Sequence, residues 1–231
     1  MKKLISLLAL LTFFTNDYAQ VKYSISGGIN ISDLKNDWEL FDNPDIIPRF
    51  GYSIGSAVEI PVRNSFFFTG QLAIVSKNYA LDVEDFYGAG TVGYDRYSVL
   101  YLDLPVLAGY CYREFRLFAG PFFDICLGGT NNHKLEYFNG YTDQGTHDIA
   151  SARELKSSEE SNNVFPLQNH NCFDAGIVFG IGHCSENFSI DLSHSYGLVN
   201  IFPKVDGNDI DRDKYFLFTR VFTLRLNIYL F

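Results

Sequence analysis

The sequence predicts an all-β protein, an eight-stranded antiparallel transmembrane up-and-down β-barrel with short periplasmic turns and long extracellular loops. Three observations carry that prediction. Apolar and polar residues alternate with a period of two along most of the chain after residue 20. The links between the alternating runs are short and long by turns. The charged and small residues share one face of the runs and the apolar residues the other, in a pattern that suits lipid outside and a polar lumen inside.

The chain opens with MKKLISLLALLTFFTNDYAQ. Lys2 and Lys3 give a basic start, residues 4–14 an apolar stretch too short for a membrane helix, and Ala19 a small residue for cleavage. Residues 1–19 read as a signal peptide and 20–231 as one barrel domain. After the leader no apolar run approaches the roughly 18 residues of a helical span. The net charge of −9, with no dense Lys/Arg cluster, argues against nucleic acid as a partner.

The first strand, VKYSISGGINIS, sets Val21, Tyr23, Ile25, Ile29 and Ile31 against Lys22, Ser24, Ser26, Asn30 and Ser32. The second sets Phe50, Tyr52, Ile54, Val58 and Ile60 against Ser53, Ala57 and Glu59, with Ser56 an exception on the apolar side. A third runs near FFFTGQLAIVSKNY, with Phe68, Leu72 and Ile74 opposite Thr69, Gln71 and Lys77. In the fourth, around YLDLPVLAGY, Leu100, Leu102, Leu104, Val106 and Ala108 oppose Asp103, Pro105 and Gly109. The fifth, LFAGPFFDICLGG, opposes Phe123 and Ile125 to Gly120 and Asp124. The sixth, CFDAGIVFGIGH, opposes Ile177, Phe179 and Ile181 to Asp174, Gly176, Gly180 and Gly182. The seventh opposes Phe188, Ile190 and Leu192 to Ser189, Asp191 and Ser193, and the eighth Phe222, Leu224, Leu226 and Ile228 to Thr223, Arg225 and Asn227.

Residues 63–65, 113–115 and 185–187 are the short turns; 33–48, 80–95, 129–168 and 199–214 are the long polar loops. Closure of the sheet lets it cross lipid with no unpaired edge. Eight strands leave a lumen that side chains fill. Glu59, Lys77, Asp103, Asp124, Asp174, Asp191 and Arg225 are therefore read as an interior polar network rather than as the lining of a channel. Pro105 lacks a ladder donor, so a bulge is expected beside it. The 15 Tyr and 22 Phe residues suit interfacial girdles.

Five features carry the resemblance to a family: YLDLPVLAGY at 101–110, FAGPFF at 118–123, DAGIVFGIG at 174–182, SIDLSHSYGLVNI at 189–201 and the terminal Phe231. In order and spacing the chain resembles the PorT-like outer-membrane β-barrel proteins of Gram-negative bacteria. The resemblance implies the same eight-stranded barrel in the outer membrane and no defined activity. It also implies a C-terminal signal for the barrel-insertion machinery at Tyr229 and Phe231. Ala73 stands where the family often has an inward carboxylate, and Ser193 where it often has an inward base. Phe231 and Tyr229 are out of phase with Leu224, Leu226, Ile228 and Leu230, which a bulge in the last strand would reconcile.

Chemical motifs are sparse. Cys126 and Cys172 both face inward by parity near the ends of neighbouring strands, so a disulfide would close the base of the 129–168 loop. Cys111 and Cys184 lie near turns at the other end, and an intervening strand argues against their pairing. The absence of CxxC and HExxH spacing excludes the common zinc motifs. His194-Ser195 has hydrolase residue types, but strand neighbours point to opposite faces. The aspartates of 206–213 read as a solvated loop, and ASARELKSSEES as a short helix over the barrel mouth. The expectation is a monomeric, non-enzymatic barrel with no cofactor or metal, in contact with outer-membrane lipid and with an extracellular or envelope protein partner. A narrow pore or small-ligand transporter is the main alternative. A lipid-modifying enzyme and a soluble ligand-binding barrel are the weaker ones.

Overall fold

The structure, a computed structural model, describes residues 21–36, 45–62, 65–84, 92–149, 173–201 and 217–230. The signal peptide, the helix expected over 150–161, Cys172, the acidic run 206–213 and Phe231 lie outside the described residues. The strands are β1 (Lys22–Asn36), β2 (Asp45–Pro61), β3 (Phe66–Glu84), β4 (Val92–Asp103), β5 (Val106–Tyr112), β6 (Phe115–Glu136), β7 (Thr142–Ile149), β8 (Phe173–Cys184), β9 (Phe188–Gly197) and β10 (Leu217–Tyr229).

These strands form a closed antiparallel ring of eight staves. β4 and β5 are two halves of one stave, because both pair with β3 on one side and β6 on the other. The interruption falls at Leu104 and Pro105, where the missing proline N–H breaks the ladder. Contact continues through Pro105 O, which accepts from Gln71 N at 3.1 Å, and Leu104 N, which donates to Phe123 O at 2.9 Å. The ring closes between β1 and β10, in register from Ser24↔Tyr229 to Asn36↔Leu217 without a shift. The bulge expected in the last strand is therefore absent from the described residues. Register shifts occur instead in β2 between Pro48 and Ser53, and in the β4–β6 ladder between Leu100 and Tyr101.

A belt of exposed apolar side chains encircles the ring. It covers residues 23–31 of β1, 66–74 of β3, 115–127 of β6 and 222–228 of β10, with Leu230 just beyond that strand. The β1 and β3 stretches match the 9–11 or so residues that a tilted strand needs to cross the hydrocarbon core, and the β6 stretch is slightly longer. Above the belt the outer face becomes polar, with Asp33, Lys35, Arg96, Ser98 and Arg220. Arg220 hydrogen-bonds the Asp33 carboxylate across β10 and β1 at that boundary.

Three of the four long loops are shorter than the sequence suggested. β3 runs to Glu84 and β4 starts at Val92, so most of 80–95 is strand. The start of the 129–168 segment is also strand: β6 continues to Glu136 and turns back as β7, pairing from Gly129↔Ile149 to Glu136↔Thr142. Its two faces are both polar in sequence, which hides the alternation.

Candidate functional site: the barrel lumen

Inward residues build the lumen in tiers. At the periplasmic end, Arg116 follows the tight turn at 113–114, where Arg113 adopts a positive φ of 56°. The Arg116 side chain is almost fully buried. Its Nη1 lies 3.1 Å from Glu59 Oε2 and donates to Tyr229 Oη at 2.9 Å. Its Nε lies 3.4 Å from Asp191 Oδ1. Asn227 completes the cluster by donating to Asp191 Oδ2 at 2.8 Å and Ser189 Oγ at 2.9 Å. The guanidinium also lies over the Phe67 ring at 4.5 Å.

Above it, Arg225 hydrogen-bonds Gln71 and stands 3.9 Å from Asp103. Higher still, the buried Lys77 ammonium joins Asp124 at 2.5 Å and Asp174 at 3.2 Å. Thr219 Oγ1 donates to Asp174 Oδ2 at 2.6 Å. The same ammonium faces the Tyr101 and Phe122 rings at 4.9 and 5.1 Å. A charge this far from water persists only when paired and hydrogen-bonded.

The lumen is not polar throughout. Above Lys77 the inward side chains become an apolar core of Leu34, Tyr79, Leu81, Tyr97, Val99, Tyr101, Ile149, Ile201 and Leu217, with Cys126 among them. Tyr79 and Tyr97 stack at 5.0 Å with an interplanar angle of 21°. A second apolar cluster, Phe67, Leu107, Phe118, Phe122 and Val178, fills the space between the ionic tiers. Its rings lie against inward glycines. A Cβ on Gly109 would run into Phe67, one on Gly180 into Phe118, and one on Gly176 would meet Phe122 at 2.7 Å. These glycines are small so that rings can cover them. A lumen cavity lined by Lys77, Asp103, Asp124 and Arg225 measures about 30 Å³, near the volume of a single water.

The structure thus gathers the seven sequence-predicted network residues in three separate clusters. Glu59 and Asp191 meet at Arg116, Asp103 meets Arg225, and Asp124 and Asp174 meet at Lys77. Arg116 is the residue that sequence reasoning missed. It is in phase with Asp124 on the same strand, and that parity was the available signal. Tyr229 points inward to Arg116 rather than to lipid. The pairing of Cys126 with Cys172 involves a residue outside the described set. His194 lies on the outer wall, stacked on Phe222 at 4.2 Å, whereas Ser195 lines the lumen cavity. The two are on opposite faces and form no nucleophile–base pair.

A family model described as outer membrane protein beta-barrel domain matches residues 16–203. No curated protein matches the chain. Among solved structures, Ail, the attachment invasion locus protein of Yersinia pestis, is 14% identical, with 91% of this chain and 99% of that one covered at a TM-score of 0.40. Neisserial surface protein A is 9% identical, covering 89% and 96% at 0.40. OprG from Pseudomonas aeruginosa is 13% identical, covering 92% and 97% at 0.38. With its lipid-facing belt, closed ring and filled lumen, the chain belongs to the outer-membrane β-barrel domain family and resides in the outer membrane of a Gram-negative bacterium.

Proposed function

We propose that the protein is a closed, monomeric barrel that holds an interaction surface above the outer membrane and neither conducts solutes nor catalyses a reaction. The observation that carries this reading is the filled lumen. Three ionic clusters and two apolar clusters succeed one another along it, around a cavity of about 30 Å³. Tyr79, Tyr97 and Tyr101, which are essentially inaccessible, fill the lumen where a hydrated solute would have to pass, and this supports the closed reading. The PorT-like resemblance supports the same barrel role and adds no reaction.

The interaction surface is sought at the β6–β7 hairpin. Its tip carries Tyr137, Phe138 and Tyr141; Phe138 is 90% exposed. Tyr137 and Tyr141 sit with ring centroids 5.8 Å apart. Exposed aromatics on a hydrogen-bonded hairpin are residue types that anchor protein interfaces. Among the described residues β7 pairs with β6 alone, and a partner's strand adding to its other edge is the mode of binding proposed. The partner class is an extracellular or envelope protein, with outer-membrane lipid around the belt.

Planar-bilayer recordings on the refolded chain test the closed reading: no unitary conductance is expected, and regular single-channel steps would replace it with a narrow pore. Crosslinking in whole cells tests the second part. A crosslinked protein partner is expected to disappear when residues 137–141 are replaced by a short Gly/Asn turn. A partner retained at full yield would move the surface elsewhere.

A further inference from the structure

Two cysteines that the ring order separates by a whole stave meet at the periplasmic mouth. Cys111 lies near the end of β5 and Cys184 ends β8, with β6 between them in the ring. Both side chains point into the lumen, Cys111 in phase with Leu107 and Gly109, Cys184 with Gly180 and Gly182. The turn at 113–114 carries the chain from β5 to β6 just where β8 ends. There Cys184 N donates to Glu114 O at 2.7 Å, and Cys184 Sγ lies 4.0 Å from Arg113 O. The two sulfurs are 3.2 Å apart. Each thiol is only partly buried.

We propose that Cys111 and Cys184 form a disulfide in the mature protein, which ties the β5–β6 turn to the end of β8 beneath the Arg116 cluster. This reverses the expectation from strand order. A disulfide needs the sulfurs at about 2.05 Å, a further approach of roughly 1 Å. Residues at a strand end and beside a turn can supply that movement. The short turns face the periplasm, an oxidising compartment where such bonds persist.

The oxidant is a protein disulfide of the periplasm. One thiolate of the pair attacks a sulfur of that disulfide and displaces its partner thiolate, giving a mixed disulfide. The second thiolate attacks the first cysteine's sulfur and releases the oxidant as a dithiol. Two electrons pass to the oxidant, and the two thiol protons end on its sulfurs. His183 points outward, with Nδ1 3.8 Å from Glu114 Oε2. Among the described residues no group of three or more His, Cys, Asp or Glu is placed to hold a metal in competition with the bond.

The test uses outer membranes prepared without reductant. Protein is denatured in a light maleimide, reduced, then labelled with a heavy maleimide and digested. The expected result is heavy label on Cys111 and Cys184, with a 111–184 cross-linked peptide in the unreduced digest. In Cys111→Ser, Cys184 should take the light label instead. Light label on both cysteines of the unsubstituted chain would overturn the proposal, as would a cross-link of either one to Cys126 or Cys172. A second readout is the temperature at which the compact gel band converts to the unfolded one. Reductant should lower it for the unsubstituted chain and leave Cys111→Ser/Cys184→Ser unmoved; equal temperatures with and without reductant would overturn the bracing role.

Discussion

The lower lumen is closed by Arg116, Arg225 and Lys77 with five carboxylates, and the upper lumen by tyrosines and aliphatic side chains. The change follows what lies outside the wall. On β3 the outward face reads Phe66, Phe68, Gly70, Leu72, Ile74 and then Ser76, Asn78, Ala80, Asp82; the inward face mixes Phe67, Ala73 and Val75 with Thr69, Gln71 and Lys77, and then turns to Tyr79 and Leu81. On β1, Ile29 and Ile31 outside give way to Asp33 and Lys35, while Asn30 and Ser32 inside give way to Leu34. Where lipid bathes the outside, apolar residues belong there and the lumen takes the polar set. Where water bathes the outside, the wall reverts to the soluble arrangement and builds an ordinary core. One continuous strand therefore inverts its polarity at the membrane edge, without a change of register in the β1–β10 or β3–β4 ladder.

The largest effect expected from breaking the contrast comes from Lys77→Met. It leaves Asp124 and Asp174 buried without their cation, a change that costs about 3–5 kcal/mol. Urea titration of the refolded barrel, read by the compact gel band, measures the loss. Adding Asp124→Leu and Asp174→Leu to Lys77→Met makes this tier resemble the upper one. That triple variant should recover most of the stability, because well-packed apolar groups can replace a buried ion cluster. A triple variant as weak as the single one would show that the ionic tier does more than fill space.

In the upper tier Leu81→Ala removes a side chain that is 2% exposed and should cost about 2–5 kcal/mol by the same titration. An effect near zero would mean that the rings above Lys77 are not a packed core. A smaller loss, about 1–3 kcal/mol, is expected for Gly180→Val, whose Cβ falls on the Phe118 ring. Combining it with Phe118→Leu should relieve part of that loss. If it does not, the wall rather than the ring limits residue 180.

Most of the ring was legible in the sequence because lipid outside and polar groups inside impose a strict period of two. Pro105 announced the break between β4 and β5 for an equally local reason. The upper wall was not legible, and the cause is the inversion itself. At Ser76 and Asn78 the outward face stops being apolar, so a reading that follows one apolar face ends the strand at Tyr79 and takes Leu81 and Asp95 for loop. The network residues could be chosen by parity, but parity does not say which carboxylate meets which cation. Asp191 joins Arg116 from two staves away because strand tilt offsets the staves. The approach of Cys111 to Cys184 has the same origin. No spacing in the sequence encodes it.

The smallest predicted effect probes Asp95, a buried carboxylate beside the upper core. Asp95 pairs across β4 and β6 with His133, well above Leu127, where the apolar belt of β6 ends. It is 1% exposed, and its Oδ2 has no hydrogen-bond partner. Burial pushes its pKa up to about 6, against the opposing pull of His133 and a hydrogen bond from Asn131. The folded state thus keeps the Asp95 proton up to about pH 6, whereas the unfolded chain releases it near its ordinary value of 3.8. Between those values the folded state binds more protons, so stability falls as pH rises through the window and is unaffected by this group above it. The expected fall is roughly 1–3 kcal/mol. Asp95→Asn keeps the shape, removes the charge and should flatten that part of the profile when urea midpoints are compared at pH 4 to 7. Parallel profiles for the two proteins would mean that water reaches Asp95 and that the upper tier is less dry than its rings suggest. A flattened profile would locate the penalty in the core above the bilayer, where a charge has no counter-ion tier to receive it.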